Sequence, residues 1–584
     1  MPAVTVVVTV AVLAPLLVRG GYALVGDMVF VPHQPWKAAW WGGDGALPRA
    51  VPMDALVSIV TQLLPGWVLQ RVLLLGAFLA GGLGIGRLVR ALRPDAGLAV
   101  VAAVTLYLWN PWVHDHLAMG QWAILAGYLL LPYAALAAHR VRADGVRAGA
   151  PGLVLALTAA AVCSPASGVM AVLTALVLVL PRRADAAATL AVGAIANLPW
   201  LVPSAAATGA RVSTGGVFAA FAPRGESDLG VVASLLSLGG TWKTSVAAPE
   251  RGSAVIVGLA VLLTLTCLVG AALARRRGDD AARATVDRLA VLALLALAIA
   301  LLPVLPGGAG VLDDLAGSVP GLALFRDAER YLAPAALVLA VGAVDVVRDL
   351  LDRAVPGRGS LRAAAALVVV APVLFLPSLA GGAGALDPVD YPPGWDAVAD
   401  RLAAADAPVT VVLPWEGNYR GFAWNPEHAV LDPAPRYLPG TVVIDDRLVL
   451  QQEGRTVVVP SEDPAARAVD AALGATTPQA RAAALADLGV THVLLETPQD
   501  AAAAADQRAD LPAGTDVVEA DGLLLRALPP PSAAPASTER IITGSSVRLR
   551  FSVGVSNALT SLLAGVMVVV TSRRAGLGRD RRRR

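Results

Sequence analysis

Gly26-Asp27-Met28-Val29-Phe30-Val31-Pro32-His33-Gln34-Pro35-Trp36 follows within a few residues of an uncharged apolar segment, 3–18. Pro32 and Pro35 keep the stretch from continuing as helix, so it reads as a loop. That loop sets a carboxylate, Asp27, a short way beyond a membrane span. Trp36, Trp40 and Trp41 come next. On a helix Trp36 and Trp40 would share one face, as in a segment lying at a lipid–water boundary.

The rest of the chain agrees with a membrane setting. Of 584 residues, 56% are hydrophobic and 15% charged, and the mean hydropathy is +0.65. A soluble chain of this size carries more charge. Apolar runs long enough to cross roughly 30 Å of hydrocarbon recur along the first two-thirds. They predict about twelve spans, near 3–18, 67–87, 97–109, 121–138, 151–163, 167–180, 186–203, 252–274, 287–305, 332–350, 362–380 and 549–571. The fifth and sixth are short and meet at Ser164-Pro165-Ala166-Ser167-Gly168, consistent with one broken or re-entrant pair.

The net charge of +2 says less than where the charges lie. Arginines cluster at 87–93, 140–147, 182–183, 275–277, 348–362 and 573–584. Placing every cluster in the cytoplasm gives an alternating topology with both termini cytoplasmic. A basic run directly after a span is a topology anchor, so no nucleic-acid partner is expected. Cys163 and Cys267 lie in apolar segments and imply neither a disulfide framework nor a metal site. Residues 1–18 lack a basic start and a cleavage site, so a retained span is expected.

At Leu386-Asp387-Pro388 the composition turns soluble. The expected organisation is a transmembrane domain over 1–381 and an extracytoplasmic domain over 382–545. A final span at 546–571 and a basic tail at 572–584 follow. Within the second domain, 408–414, 488–495 and 522–526 read as strands and 465–473 as a helix, hence a small α/β unit.

Three outward-facing clusters carry candidate chemistry. Asp27 is suited to act as a general base, and the bland reading is a solvated loop acid. In Asn110-Pro111-Trp112-Val113-His114-Asp115-His116 through Gln121-Trp122, polar groups crowd a tight turn between spans. There His114 and His116 could meet a phosphate as cations, and Asp115 could orient them or share a divalent cation with Asp27. In Phe325-Arg326-Asp327-Ala328-Glu329-Arg330, the two arginines are four apart and would project from one side of a helix toward a phosphate. In the soluble domain, Trp415, Glu416 and Arg420 resemble a carbohydrate-contacting surface, or simply a capped strand end. No phosphate-binding glycine loop, nucleophile elbow, zincin or CxxC motif occurs.

With these residues in view, the chain resembles GT-C-type membrane glycosyltransferases. It is similar to the YfhO-like bacterial proteins and to the membrane half of actinobacterial arabinofuranosyltransferases. The resemblance rests on the acidic first loop, on Asn110-Pro111-Trp112…Gly120-Gln121, on Phe325-Arg326-Asp327, and on a dozen spans with an extracytoplasmic α/β domain. It implies inverting sugar transfer from a polyprenyl-phosphate donor to a cell-envelope glycan or lipid, with Asp27 as base and Asp115 as a second carboxylate. Arg326, Arg330, His114, His116 and Lys37 would meet the donor phosphate. His33, Gln34, Asn110, Gln121, Trp415, Glu416 and Arg420 would meet the acceptor. The paired-acid form common in such families is absent here. The competing readings are a flippase of lipid-linked saccharides and a non-catalytic envelope scaffold. The Ala-, Gly-, Val- and Arg-rich composition points to a GC-rich bacterial source such as an actinobacterium.

Overall fold

A computed structural model describes residues 1–207, 215–319, 321–354, 359–452, 455–497 and 506–531, with short pieces between 553 and 560. Apart from those pieces, the expected final span and basic tail lie outside the described residues. The protein is mostly helical. Among the described residues, seven helices are long and apolar enough to cross a membrane: Gly66–Leu92, Trp122–Asp144, Val146–Cys163, Arg183–Ala206, Ala254–Arg277, Asp280–Val304 and Glu329–Asp352. Three apolar helices are shorter: Pro2–Val18, Pro165–Val179 and Ser360–Phe375. Val100–Leu108 is shorter still. Each of the first eleven expected spans therefore falls on a helix, though only seven have full spanning length.

Local chemistry sets the breaks. Ser164 ends one helix and caps the next, its Oγ accepting from Ser167 N at 3.0 Å. Asn110 does the same for Pro111–Ala118, accepting from Val113 N at 3.1 Å. The predicted tight turn at 111–118 is thus a buried helix of eight residues. The Trp122–Asp144 helix packs against 66–92, 146–163 and 165–179. The last long span is the most enclosed and crosses Ala254–Arg277 at Gly342 and Gly270, where each added Cβ would strike the opposing backbone.

The strands are β1 (Tyr22–Ala23), β2 (Pro388–Val389), β3 (Val409–Leu413), β4 (Tyr419–Phe422), β5 (Asn425–Leu431), β6 (Thr441–Val443), β7 (Leu448–Gln452), β8 (Arg455–Val459), β9 (His492–Glu496), β10 (Thr515–Ala520) and β11 (Leu523–Ala527). Five form one sheet in the order β10-β11-β9-β3-β6. β3 runs parallel to β6 and β9, whereas β11 is antiparallel to β9 and β10. The predicted strands are β3, β9 and β11, and the predicted helix is Pro464–Leu473. The hairpins β4–β5 and β7–β8 stand outside this sheet.

Two pairings dock the soluble domain on the first loop. Tyr22 and Ala23 pair with Val389 and Pro388, joining β1 to β2. Gly26 bridges to Val430 on β5. The tryptophan platform differs from expectation. Helical structure begins only at Ala38, Trp36 is 56% exposed, and Trp40 is buried with its Nε1 donating to Pro35 O at 2.7 Å. Pro35 and the extended Lys37 place the two rings on different surfaces.

Candidate active site beside the first loop

The first loop is held by backbone on both sides. Asp27 N donates to Met119 O at 3.0 Å, and Gly26 N donates to Ala429 O at 2.9 Å. Leu431 N returns a bond to Gly26 O at 2.8 Å. Gly26 (φ 50) and Gly120 (φ 70) make this possible, because a Cβ on either would run into the facing carbonyl. Asp27 is therefore fixed between the end of the 111–118 helix and the β4–β5 hairpin.

Its carboxylate is met from the soluble domain. The Tyr419 hydroxyl donates to Asp27 Oδ1. Burial, and then the charge of Asp27, raise the Tyr419 phenol well above its ordinary range, while Arg49 and Arg330 oppose the rise. The phenol thus keeps its proton and acts as donor. Burial lowers the Lys243 ammonium, and the negative charge of Asp27 opposes that fall. Arg330 donates to Asp327 Oδ2 at 2.8 Å and to Gln121 Oε1 at 3.4 Å. Trp242 Nε1 also donates to Asp327, at 3.3 Å. Hydrogen bonds and charge thus link Asp27, Gln121, Arg330, Lys243 and Tyr419 in one polar cluster.

Arg326 and Arg330 do not share a helix face. The segment forms two 3₁₀ turns, Leu322–Phe325 and Glu329–Leu332, with Arg326 capping the first. Arg326 turns to Glu462 at 2.8 Å and lies over the Phe221 ring. Arg49 joins it at the rim through Asp446 at 2.9 Å and Glu462 at 3.3 Å.

The 111–118 helix supplies an inner layer. His116 is buried, stacked on Trp112 at 3.6 Å, with Nδ1 2.9 Å from Trp112 O. Burial, aided by Arg330, pushes its pKa down to about 3, so it is neutral at physiological pH. The expectation of a phosphate-binding cation fails for His116 because it is desolvated beside a guanidinium. His114 Nδ1 lies 3.0 Å from Asp115 Oδ1. Asp115 is wholly buried, which raises its pKa to about 6 against the pull of His114. Among the described residues no three His, Cys, Asp or Glu side chains form a metal-ligand set, so the shared cation of Asp27 and Asp115 lacks one there. Asn110 is spent on structure, its Nδ2 donating to Leu106 O, Tyr107 O and the Tyr128 hydroxyl.

Several expected contacts point elsewhere. Gln34 is buried and donates to Asp54 O at 3.1 Å, while His33 Nδ1 lies 2.7 Å from Thr61 O. Both tie the loop to the Met53–Thr61 helix. Lys37 Nζ donates to Pro435 O at 2.7 Å, and burial with Arg436 lowers it to about 7. Trp415 Nε1 donates to Asp470, and Glu416 is exposed. Arg420 is buried against Glu496 at 3.1 Å and Asp432 at 3.4 Å, so its guanidinium does not face a glycan. Sequence reasoning passed over Tyr419, between Trp415 and Arg420, because nothing local marks its hydroxyl as reaching the first loop. Glu226, in the 204–250 loop, pairs with buried Arg251. Glu329 is fully buried, and among the described residues neither of its carboxylate oxygens has a hydrogen-bond partner. Behind this layer an apolar crevice is lined by Leu106, Trp109, Leu263, Leu339 and Phe375, with Arg251 at one wall.

No protein family matches this sequence, and no curated protein does. Two solved structures match its fold. One is the cryo-EM structure of arabinofuranosyltransferase AftD from Mycobacteria, with a TM-score of 0.56 and 16% identity over 90% of this chain and 39% of that one. The other is a mutant of AftD, with a TM-score of 0.51 and 17% identity over 90% of this chain and 41% of that one. The chain thus spans about two-fifths of the length of the protein it matches. At such identities the likeness is one of fold, and the chain is built on the fold of arabinofuranosyltransferase AftD.

Proposed function

We propose that the protein is a membrane glycosyltransferase of the GT-C type. It moves a sugar from a polyprenyl-phosphate donor to an extracytoplasmic cell-envelope glycan or lipid, with inversion. One observation carries this reading. The Asp27 carboxylate sits where the first loop, the 111–118 helix and the soluble domain meet, with Oδ1 held by Tyr419 and with the charges of Lys243 and Arg330 felt in the same cluster. The shared fold with AftD supports it.

The chemistry asked of these residues is modest. An acceptor hydroxyl attacks the anomeric carbon from the face opposite the phosphate. The C–O bond to phosphate breaks, its electron pair stays on the phosphate oxygen, and Asp27 takes the hydroxyl proton. Arg330 and Lys243 offset the charge that grows on the leaving phosphate, which makes them more useful in the transition state than in the ground state. The crevice lined by Leu106, Trp109 and Phe375 is the place assigned to the polyprenyl chain. The 111–118 helix backs the first loop through Met119, whose N donates to Asp115 O and whose carbonyl accepts from Asp27 N. The test is transfer by purified protein in nanodiscs, given labelled polyprenyl-phosphate sugars and envelope glycan fragments. Label should pass to the acceptor without added nucleotide. A donor carried intact across the bilayer in proteoliposomes, with no acceptor labelled, would favour the flippase.

A further inference from the structure

We infer that the soluble domain completes the active site, with Tyr419 as the positioning residue of the base and the buried Arg420–Asp432–Glu496 cluster as the anchor that holds Tyr419 in place. This rests on Asp27 being the base. Tyr419 opens β4, and its hydroxyl reaches a carboxylate 392 residues earlier in the chain. A carboxylate free to turn about its side chain offers either oxygen to a substrate. Here the phenol engages Oδ1, so the acceptor hydroxyl is left Oδ2, in one orientation.

The next residue supplies the rigidity. Arg420 points to the opposite face of the strand, where it donates to Glu496 Oε2 at 3.1 Å, to Gly417 O at 3.0 Å and to Pro414 O at 2.6 Å. Asp432 lies 3.4 Å from the same guanidinium, just beyond β5, and its backbone N donates to Asn418 O at 2.9 Å. Glu496 ends β9, a central strand of the sheet. All three side chains are buried. The cluster therefore fastens both strands of the hairpin to the sheet, and the hairpin carries Tyr419 on one side and Ala429, the partner of Gly26, on the other. Two carboxylates and one guanidinium out of water are costly as a stability device, so their placement beside Tyr419 fits a role in specifying geometry.

The test is the pH dependence of transfer by Tyr419→Phe in the full-length protein. The ring and its packing remain, and only the donated hydrogen bond is lost. A bond donated to a carboxylate favours its charged form, so losing it makes the base protonate more readily. The charged groups that act on Asp27 and Tyr419 and remain are Lys243, which follows Trp242, and Arg49 and Arg330 toward Tyr419. None changes in the variant. The acidic limb of the kcat/KM profile should move up by roughly one pH unit, with kcat falling more than KM rises. Arg420→Met should move it the same way. Reduced activity with an unmoved limb would make Tyr419 merely structural and would overturn the inference, as would an unchanged enzyme. Asp27→Asn separates the two claims. If it abolishes transfer while the Tyr419→Phe limb stays in place, only this inference fails. If it retains transfer, the base assignment itself fails.

Discussion

Asp27 is held twice, by the hydrogen bond from its backbone N to Met119 O and by the Tyr419 hydroxyl on its carboxylate. Its position was legible from sequence, since it is the acid that follows the first apolar run. Gln121 and Arg330 were legible for the same reason, each flanking a span. Tyr419 was not, because only the tertiary fold brings it to Asp27. The two arginines of the late motif should now separate. Arg330→Met should lower kcat/KM by about 100-fold or more, as loss of a transition-state cation does. Arg326→Met, which breaks an outer pair with Glu462, should cost less than about tenfold. Steady-state kinetics on both variants checks the contrast. His116 carries a pH signature. Its folded pKa of about 3 lies below its unfolded value near 6.5, so the unfolded chain binds the proton more readily between those limits. Stability from this residue is complete above about 6.5 and is lost as pH falls toward about 3. His116→Gln should therefore flatten thermal stability across that window relative to the parent, measured on the detergent-solubilised protein.

At the scale of elements, the apolar runs announced the helices because length and hydropathy alone decide a span. The joins were less legible. Asn110 and Ser164 looked like ends of spans, and each also caps the following helix. The Arg326–Arg330 spacing suggested one helical face, but the chain there makes successive 3₁₀ turns, so i,i+4 reasoning did not apply. The β4–β5 hairpin was invisible to periodicity, being short and interrupted by Gly421, Pro426 and charged residues. The contact between the first loop and the 111–120 turn is glycine against backbone, and it makes a sharp prediction. Gly120→Ala should destabilise that contact by about 2–3 kcal/mol and reduce transfer strongly, while the spans stay inserted. Limited proteolysis should show faster cleavage in the first loop. Unchanged protection would mean the loop is held by something else.

Across the whole molecule, the membrane helices and the soluble domain are joined by β1–β2, Gly26–Val430 and Tyr419–Asp27. The change in composition at Leu386 is what suggests a division of the chain there. It could not show that the second domain folds back onto the first loop, since that pairing lies between residues hundreds apart. Sidedness remains a proposal with a direct test. Glu416→Cys, on an exposed turn of the soluble domain, should react in intact cells with a membrane-impermeant thiol reagent. Arg182→Cys should react only after permeabilisation, and the native Cys163 and Cys267 are buried and should stay silent. The central claim is that the Asp27 carboxylate, in this polar cluster, drives sugar transfer from a lipid phosphate. Its most direct measurement compares the parent protein with Asp27→Asn in nanodiscs holding labelled polyprenyl-phosphate sugar and an envelope glycan acceptor. The account predicts transfer by the parent and a loss of at least about 1,000-fold in kcat in the variant. Equal transfer by the two proteins would contradict it.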